Sequence, residues 1–146
     1  MEYRHTQWGY FAVVTLVILV PVAATVTIAD DDPWAGALVA LAVLMIAALV
    51  LWFSRLTVTV EGGRVTAGFG LGRPRKSINL ENVTAVRQVR SPWYYGWGIR
   101  RVPGGWMYNV WGFDSVELEV SPGRVFRIGT DEPNELYGVL SVLAGR

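Results

Sequence analysis

The amino-acid sequence predicts a membrane α-hairpin followed by an α+β tail, and three observations carry that expectation. Between Gly9 and Phe53 lie two apolar runs of about 20 residues each, neither holding a charged side chain. As helices, runs of that length cross roughly 30 Å of hydrocarbon. Only Asp30, Asp31, Asp32 and Pro33 separate them, so the two helices are expected to run antiparallel and in contact. From Leu56 the apolar period changes to two, and near the C-terminus it returns to the helical one.

Composition agrees with this division. The mean hydropathy is +0.33 and 52% of the 146 residues are hydrophobic, too apolar for an ordinary soluble domain. The excess lies in the first third. The expected organisation is a short N-terminal segment over 1–8, a hairpin over 9–53 with spans near 9–28 and 34–53, and a tail over 54–146. About 90 residues suffice for one modest core. From Arg55 onward, 12 basic side chains stand against 8 acidic ones. The absence of cysteine excludes disulfide staples and thiolate metal sites.

Orientation follows from the basic residues. Arg4 and His5 precede the first run, and Arg55, Arg64, Arg73, Arg75 and Lys76 follow the second. That bias puts both termini on the cytoplasmic side. Trp8, Trp34 and Trp52 fall at the expected membrane boundaries, where indole rings anchor. A rival reading is a cleaved signal peptide, with Val22 and Ala24 as its small-residue site. Within the second span, Gly36 and Ala40 form a small-xxx-small pair with Ala47 further along, as expected for close helix packing in lipid. Pro21 predicts a kink in the first span. With no ionisable residue inside either span, an ion pathway or transport site is not expected.

The tail begins with β-branched alternation over 56–60, turns at Gly62-Gly63, and resumes over 64–69. That is a hairpin whose glycine pair supplies positive φ. Further strands are expected at 75–79, after a turn at 70–74, and at 83–89. A second hairpin, 115–120 with 125–128, turns at Ser121-Pro122-Gly123. Last comes a helix, with Thr130 or Asp131 as cap, Pro133 in its first turn, and Leu136, Val139, Leu140 and Leu143 on one face. The expected layout is six or seven short antiparallel strands in a bent sheet or open barrel, plugged by one amphipathic helix.

That order resembles the bacterial pleckstrin-homology-like domain. The resemblance is carried by Tyr95-Gly96-Trp97-Gly98-Ile99-Arg100, Gly105-Trp106, Tyr108-Asn109-Val110, Gly112, Val116-Glu117-Leu118, Gly123-Arg124, and the run from Phe126 through Pro133. It extends over the tail and is similar to small bacterial membrane proteins with two spans. It implies residence in a bacterial inner (plasma) membrane as a multi-pass protein. It does not imply phosphoinositide binding, since one fold hosts many functions.

Three segments are candidates for function. Residues 91–113 concentrate Trp, Tyr and Arg among glycines, the residue types that dominate binding hot spots. Tyr94, Tyr95, Trp97, Arg100, Arg101 and Trp106 are the candidate contact set, for a protein partner or for lipid headgroups. The alternative is a long bent hairpin whose rings fill the core. Arg73, Arg75 and Lys76 form a basic cluster at a turn, suited to anionic lipid or simply solvated. Asp30–Asp32 suit helix capping and topology better than a hard cation. Catalysis lacks materials: His5 is the only histidine, placed at a frayed N-terminus, and Glu117 and Glu119 alternate along a strand. No cofactor and no nucleic acid are expected, and no enzymatic activity. The expected function is a non-catalytic binding module on a membrane anchor. The alternative is an accessory subunit assembling, with a partner or a second copy, through Gly36, Ala40 and Ala47.

Overall fold

A computed structural model of the chain describes residues 2–29 and 31–145; Asp30, part of the acidic connection, lies outside them. The hairpin consists of α1 (Phe11–Ala29) and α2 (Pro33–Phe53). Both are apolar around their whole circumference and exposed along nearly their whole length, the pattern of helices surrounded by lipid. Pro33 opens α2 at its first position, and the Asp32 carboxylate accepts the Trp34 N–H at 3.0 Å. Buried and half-buried positions recur at spacings of three and four, Ala12, Leu16, Leu19 and Ala23 on α1, Gly36, Val39, Val43 and Ala47 on α2. They form the seam between the helices. α1 continues through Pro21, whose carbonyl accepts the Thr25 hydroxyl at 2.8 Å.

The N-terminal segment corrects the expectation of a frayed end. Tyr3–Trp8 form β1, paired antiparallel with β2 (Arg55–Glu61), so that Trp8 stands opposite Arg55 and Tyr3 opposite Val60. Two helices leaving one short turn deliver their outer flanks side by side, and those flanks continue as paired strands. The first span therefore starts at Phe11, not Gly9. Cleavage after Ala24 would remove β1, and with it buried Tyr3 and Gln7.

β3 (Arg64–Phe69) and β4 (Arg75–Asn79) complete a four-stranded sheet in the order β1-β2-β3-β4. The second sheet contains β5 (Val83–Arg90), β6 (Gly98–Val102), β7 (Gly105–Asn109), β8 (Asp114–Val120) and β9 (Arg124–Gly129), in the order β5-β8-β9-β7-β6. The tail thus has eight strands rather than six or seven, and two sheets that do not close into a barrel. The additional strands, β6 and β7, lie inside the aromatic segment. β7 and β9 run parallel, the one exception to antiparallel pairing among the described strands. Gly105 makes this approach feasible, because a Cβ there would collide with the Val125 carbonyl.

The inner faces share one core. Leu56, Val58, Val60, Val65, Ala67 and Phe69 of the first sheet meet Tyr108, Val116, Leu118, Phe126 and Ile128 of the second. α3 (Pro133–Ala144) inserts Leu136 and Leu140. Its N-cap position is held by Glu132, not by Thr130 or Asp131. Thr130 acts one step earlier, its hydroxyl accepting the Glu132 N–H at 3.0 Å. The residues leading into α3, with its first turn, also tie the outer edges of the two sheets. On the β1 side the Tyr3 hydroxyl donates to Glu132 at 3.3 Å, and His5 Nε2 lies 2.6 Å from Asp131. On the β5 side Gln88 donates to Asn134 at 3.0 Å.

Burial, then the charge of Glu132, pushes the Tyr3 hydroxyl pKa well above its ordinary value. The folded chain holds this proton more tightly than the unfolded one. Its contribution to stability is therefore complete below the unfolded value near pH 10, and is lost as pH rises beyond it. Tyr108, raised by burial, acts in the same sense. The urea midpoint of the tail in micelles is expected to fall as pH rises above about 10. Tyr3→Phe should remove part of that fall and Tyr3→Phe with Tyr108→Phe most of it; an undiminished fall in the double variant contradicts this account.

Candidate functional site

Strand direction divides the tail into a near end, joined to the hairpin, and a far end. β2 leaves α2 at Arg55, so the turns at 70–74, 91–97 and 110–113 return to the near end. Those at 62–63, 103–104 and 121–123 lie at the far end. With five to eight residues per strand, the two ends stand about 15–25 Å apart.

Aromatic side chains collect at the near end. Trp97 stacks between Phe11 of α1, at 6.1 Å and 4°, and Trp111, at 4.9 Å and 16°. Tyr10 meets the Trp111 ring edge-on at 5.8 Å. Gln7 donates to the Trp111 carbonyl at 3.1 Å, and the Gly9 N–H to the Ser54 carbonyl at 2.6 Å. The second sheet is thereby fastened to the root of α1. A matching clamp holds the first sheet to α2: the Trp52 indole N–H donates to the Arg73 carbonyl at 2.6 Å. Its ring covers Gly70, whose φ of +55° suits glycine and where a Cβ would stand 2.8 Å from Trp52. Arg55 donates to the Gly70 carbonyl at 2.6 Å and lies over the Trp8 ring at 5.6 Å. Beyond these fixed rings, three large side chains of near-end turns project freely: Leu71 is 81% exposed, Trp93 79% and Tyr94 68%.

A second surface opens on the side opposite α3. β4 ends one sheet and β6 ends the other, and between them lies a cleft of about 1000 Å³ extending to the far-end turns. Ile78, Ile99, Tyr108 and Phe126 form its floor, and Arg64, Lys76, Arg101 and Arg124 its charged lining. Among the described residues no carboxylate lines it. Arg101 lies 5.9 Å over the Trp106 ring. Among the described residues Lys76, Arg101 and Arg124 belong to no ion pair.

The six residues expected to act as one contact set are divided between these places. Trp97 is half-buried in the root stack, and Tyr95 is half-buried with the Arg127 guanidinium 5.8 Å over its ring. Tyr94 projects at the near end. Arg100 is exposed and donates to the Trp97 carbonyl at 2.8 Å. Arg101 and Trp106 face the cleft. The basic cluster divides as well. Arg73 and Arg75 stay at the near end, whereas Lys76, opposite Ala67 on the inner face, enters the cleft. In the hairpin, Gly36 faces α1, since a Cβ there would stand 3.0 Å from Thr27 Cγ2, and Ala47 is half-buried. Ala40 is exposed; Val39 occupies the seam instead.

Sequence reasoning passed over Phe11, Trp111, Arg64 and Arg124. A signal for the last two exists: Gly63-Arg64-Val65 and Gly123-Arg124-Val125 repeat one tripeptide after two far-end turns.

Removing the central ring of the root should weaken the whole tail. Trp97→Ala is expected to cost about 3 kcal/mol, as for other buried aromatic truncations. Tyr94→Ala should stay within about 0.5 kcal/mol. Denaturant titration in micelles checks both, and equal effects would contradict the assignment of Trp97 to the stack.

No family model matches the chain, and no curated protein matches it either, so the two surfaces themselves carry the functional reading.

Proposed function

We propose that this chain is a bacterial inner-membrane protein whose pleckstrin-homology-like tail is a non-catalytic binding module seated on the cytoplasmic surface of the bilayer. One observation carries the seating: the large apolar side chains that project from the tail's turns do so at the near end. Leu71, Trp93 and Tyr94 project beside the helices, whereas the far-end turns at 62–63, 103–104 and 121–123 are built from Gly, Pro and Ser. Such side chains partition to the headgroup boundary, where a ring buries its apolar body and keeps its polar edge wet. Arg73 and Arg75, exposed at the same end, add attraction to anionic headgroups of about 1 kcal/mol each.

Two sheets over one core and a closing C-terminal helix support the pleckstrin-homology-like kinship; β1 and the parallel β7–β9 pair depart from it. The non-catalytic reading is supported by the chemistry of the cleft, whose lining offers cations without a carboxylate partner for acid–base work. Assembly through the hairpin is the weaker alternative, because Gly36 is already occupied by α1 and only Ala40 of the expected trio is free on the outer face.

Depth measurement tests the seating. The chain has no cysteine, so single-cysteine variants at Leu71, Trp93, Gly104 and Pro122 can each carry one environment-sensitive fluorophore in nanodiscs. Spin-labelled lipid should quench positions 71 and 93 and leave 104 and 122 unaffected. Equal quenching by an aqueous agent at all four positions would refute the seating.

A further inference from the structure

We infer that the cleft between β4 and β6 is a docking groove for an acidic, extended segment of a partner protein, which adds a strand to one of the two open sheet edges. The binding reading proposed above is presupposed; the seating on lipid is not.

The geometry comes first. Asp131, Glu132 and the first turn of α3 tie β1 to β5, and α3 covers that side of the two-sheet body. On the other side, among the described residues, β4 and β6 each pair with one neighbour only. Both outer edges therefore offer backbone N–H and C=O groups to an incoming strand, the mode of recognition in which main-chain hydrogen bonds supply affinity. Four consecutive residues of β4, from Lys76 to Asn79, line the cleft, so its edge and not merely its inner face is presented.

Charge selects the occupant. Lys76, Arg101 and Arg124 project into the cleft without an ion-pair partner among the described residues, and no acidic side chain lines it. Inward-pointing cations at two edge strands repel a second copy of this chain, as edge-guarding charges do. The same charges attract a strand bearing carboxylates. Beneath them Ile78, Ile99 and Phe126 form an apolar floor, matching alternate apolar residues of an extended segment, whose side chains point to opposite faces. Trp106, half-exposed under Arg101, is a residue type that dominates binding energy at interfaces. Location argues against the bilayer surface as occupant: the cleft extends to the far end, about 15–25 Å from the roots of the two apolar helices.

The test pans a displayed library of random peptides of about eight residues, a typical strand length, against the full chain in nanodiscs. Enrichment of sequences alternating Asp or Glu with apolar residues is expected. Binding of the synthesised winners should weaken with salt and fall about tenfold or more in K76E/R101E. N-methylation of alternate backbone amides in a winning peptide should abolish binding, which side-chain attraction alone would not require. Lys76→Gln with Arg101→Gln, milder for folding, should give a smaller loss of the same sign. The proposal is overturned by enrichment without acidic bias, by winners indifferent to these variants or to N-methylation, or by dodecyl phosphate held at the cleft where no peptide is. Self-association of K76E/R101E with peptide binding intact also overturns it, leaving edge guarding as the sole role. Failure here with fluorophores at 71 and 93 still in lipid leaves the membrane seating standing.

Discussion

The β1–β2 ladder across the root of the hairpin is the constraint from which the rest of the structure follows. Two apolar helices packed side by side as a hairpin must deliver their outer flanks next to each other. Their flanks are then strand partners at almost no further entropic cost, since the loop that joins them is already closed by helix packing. Trp8 opposite Arg55 and Tyr3 opposite Val60 place the inner face of the first sheet. From there every inward position, Leu56, Val58 and Val60, is set by a period of two. A slip of one residue would turn these side chains outward and expose the core to water.

This constraint also orients the tail. A sheet that grows directly from two membrane helices cannot rotate freely about a linker. Its strands run away from the helices and back, and alternate turns return to the helix roots. Clamps at both helix roots, Trp97 against Phe11 and Trp52 over Gly70, fix the two sheets to separate helices. The stacked rings bury apolar area where few other contacts reach, and their offset geometry adds about 0.5–1.5 kcal/mol per pair. Rigid attachment is what gives the free side chains at the near end, and the far end itself, a defined distance from the helix roots.

Local signals were readable in the sequence, and non-local ones were not. β2, β3, β4, β8 and β9 follow β-branched alternation bounded by Gly and Pro, and α3 follows a helical stripe behind Pro133. β5 was blurred by a bulge between Val83 and Ala85, which shifts the alternation midway. β1 escaped because Tyr-Arg-His-Thr-Gln-Trp buries only Tyr3 and Gln7, and a buried glutamine reads as surface. β6 and β7 were hidden by aromatic density that masks period. The parallel pairing of β7 with β9 leaves no local trace, because it depends on Gly105 meeting a strand some twenty residues away. The candidate residues do not lie together as one site, since adjacency along 91–113 spans a near-end turn and a far-reaching hairpin.

That division carries a general point about Arg and aromatic residues. At the near end Arg55 over Trp8 and Arg127 over Tyr95 are consumed by internal contacts, each guanidinium also bonded to a carbonyl or a carboxylate. The pairing of Arg101 with Trp106 has the same chemistry but a different standing: its ring is half-exposed, and its cation faces Lys76 and Arg124 across the cleft without a counter-charge. Cations gathered around one cleft repel one another, and that cost is relieved only by solvent, salt or an anionic occupant. A protein can avoid it by placing one glutamate among them, as Glu117 beside Arg127 shows within this same sheet. Left uncompensated at two open strand edges, the charge is more economically understood as the recognition half of an interface than as a cost of folding.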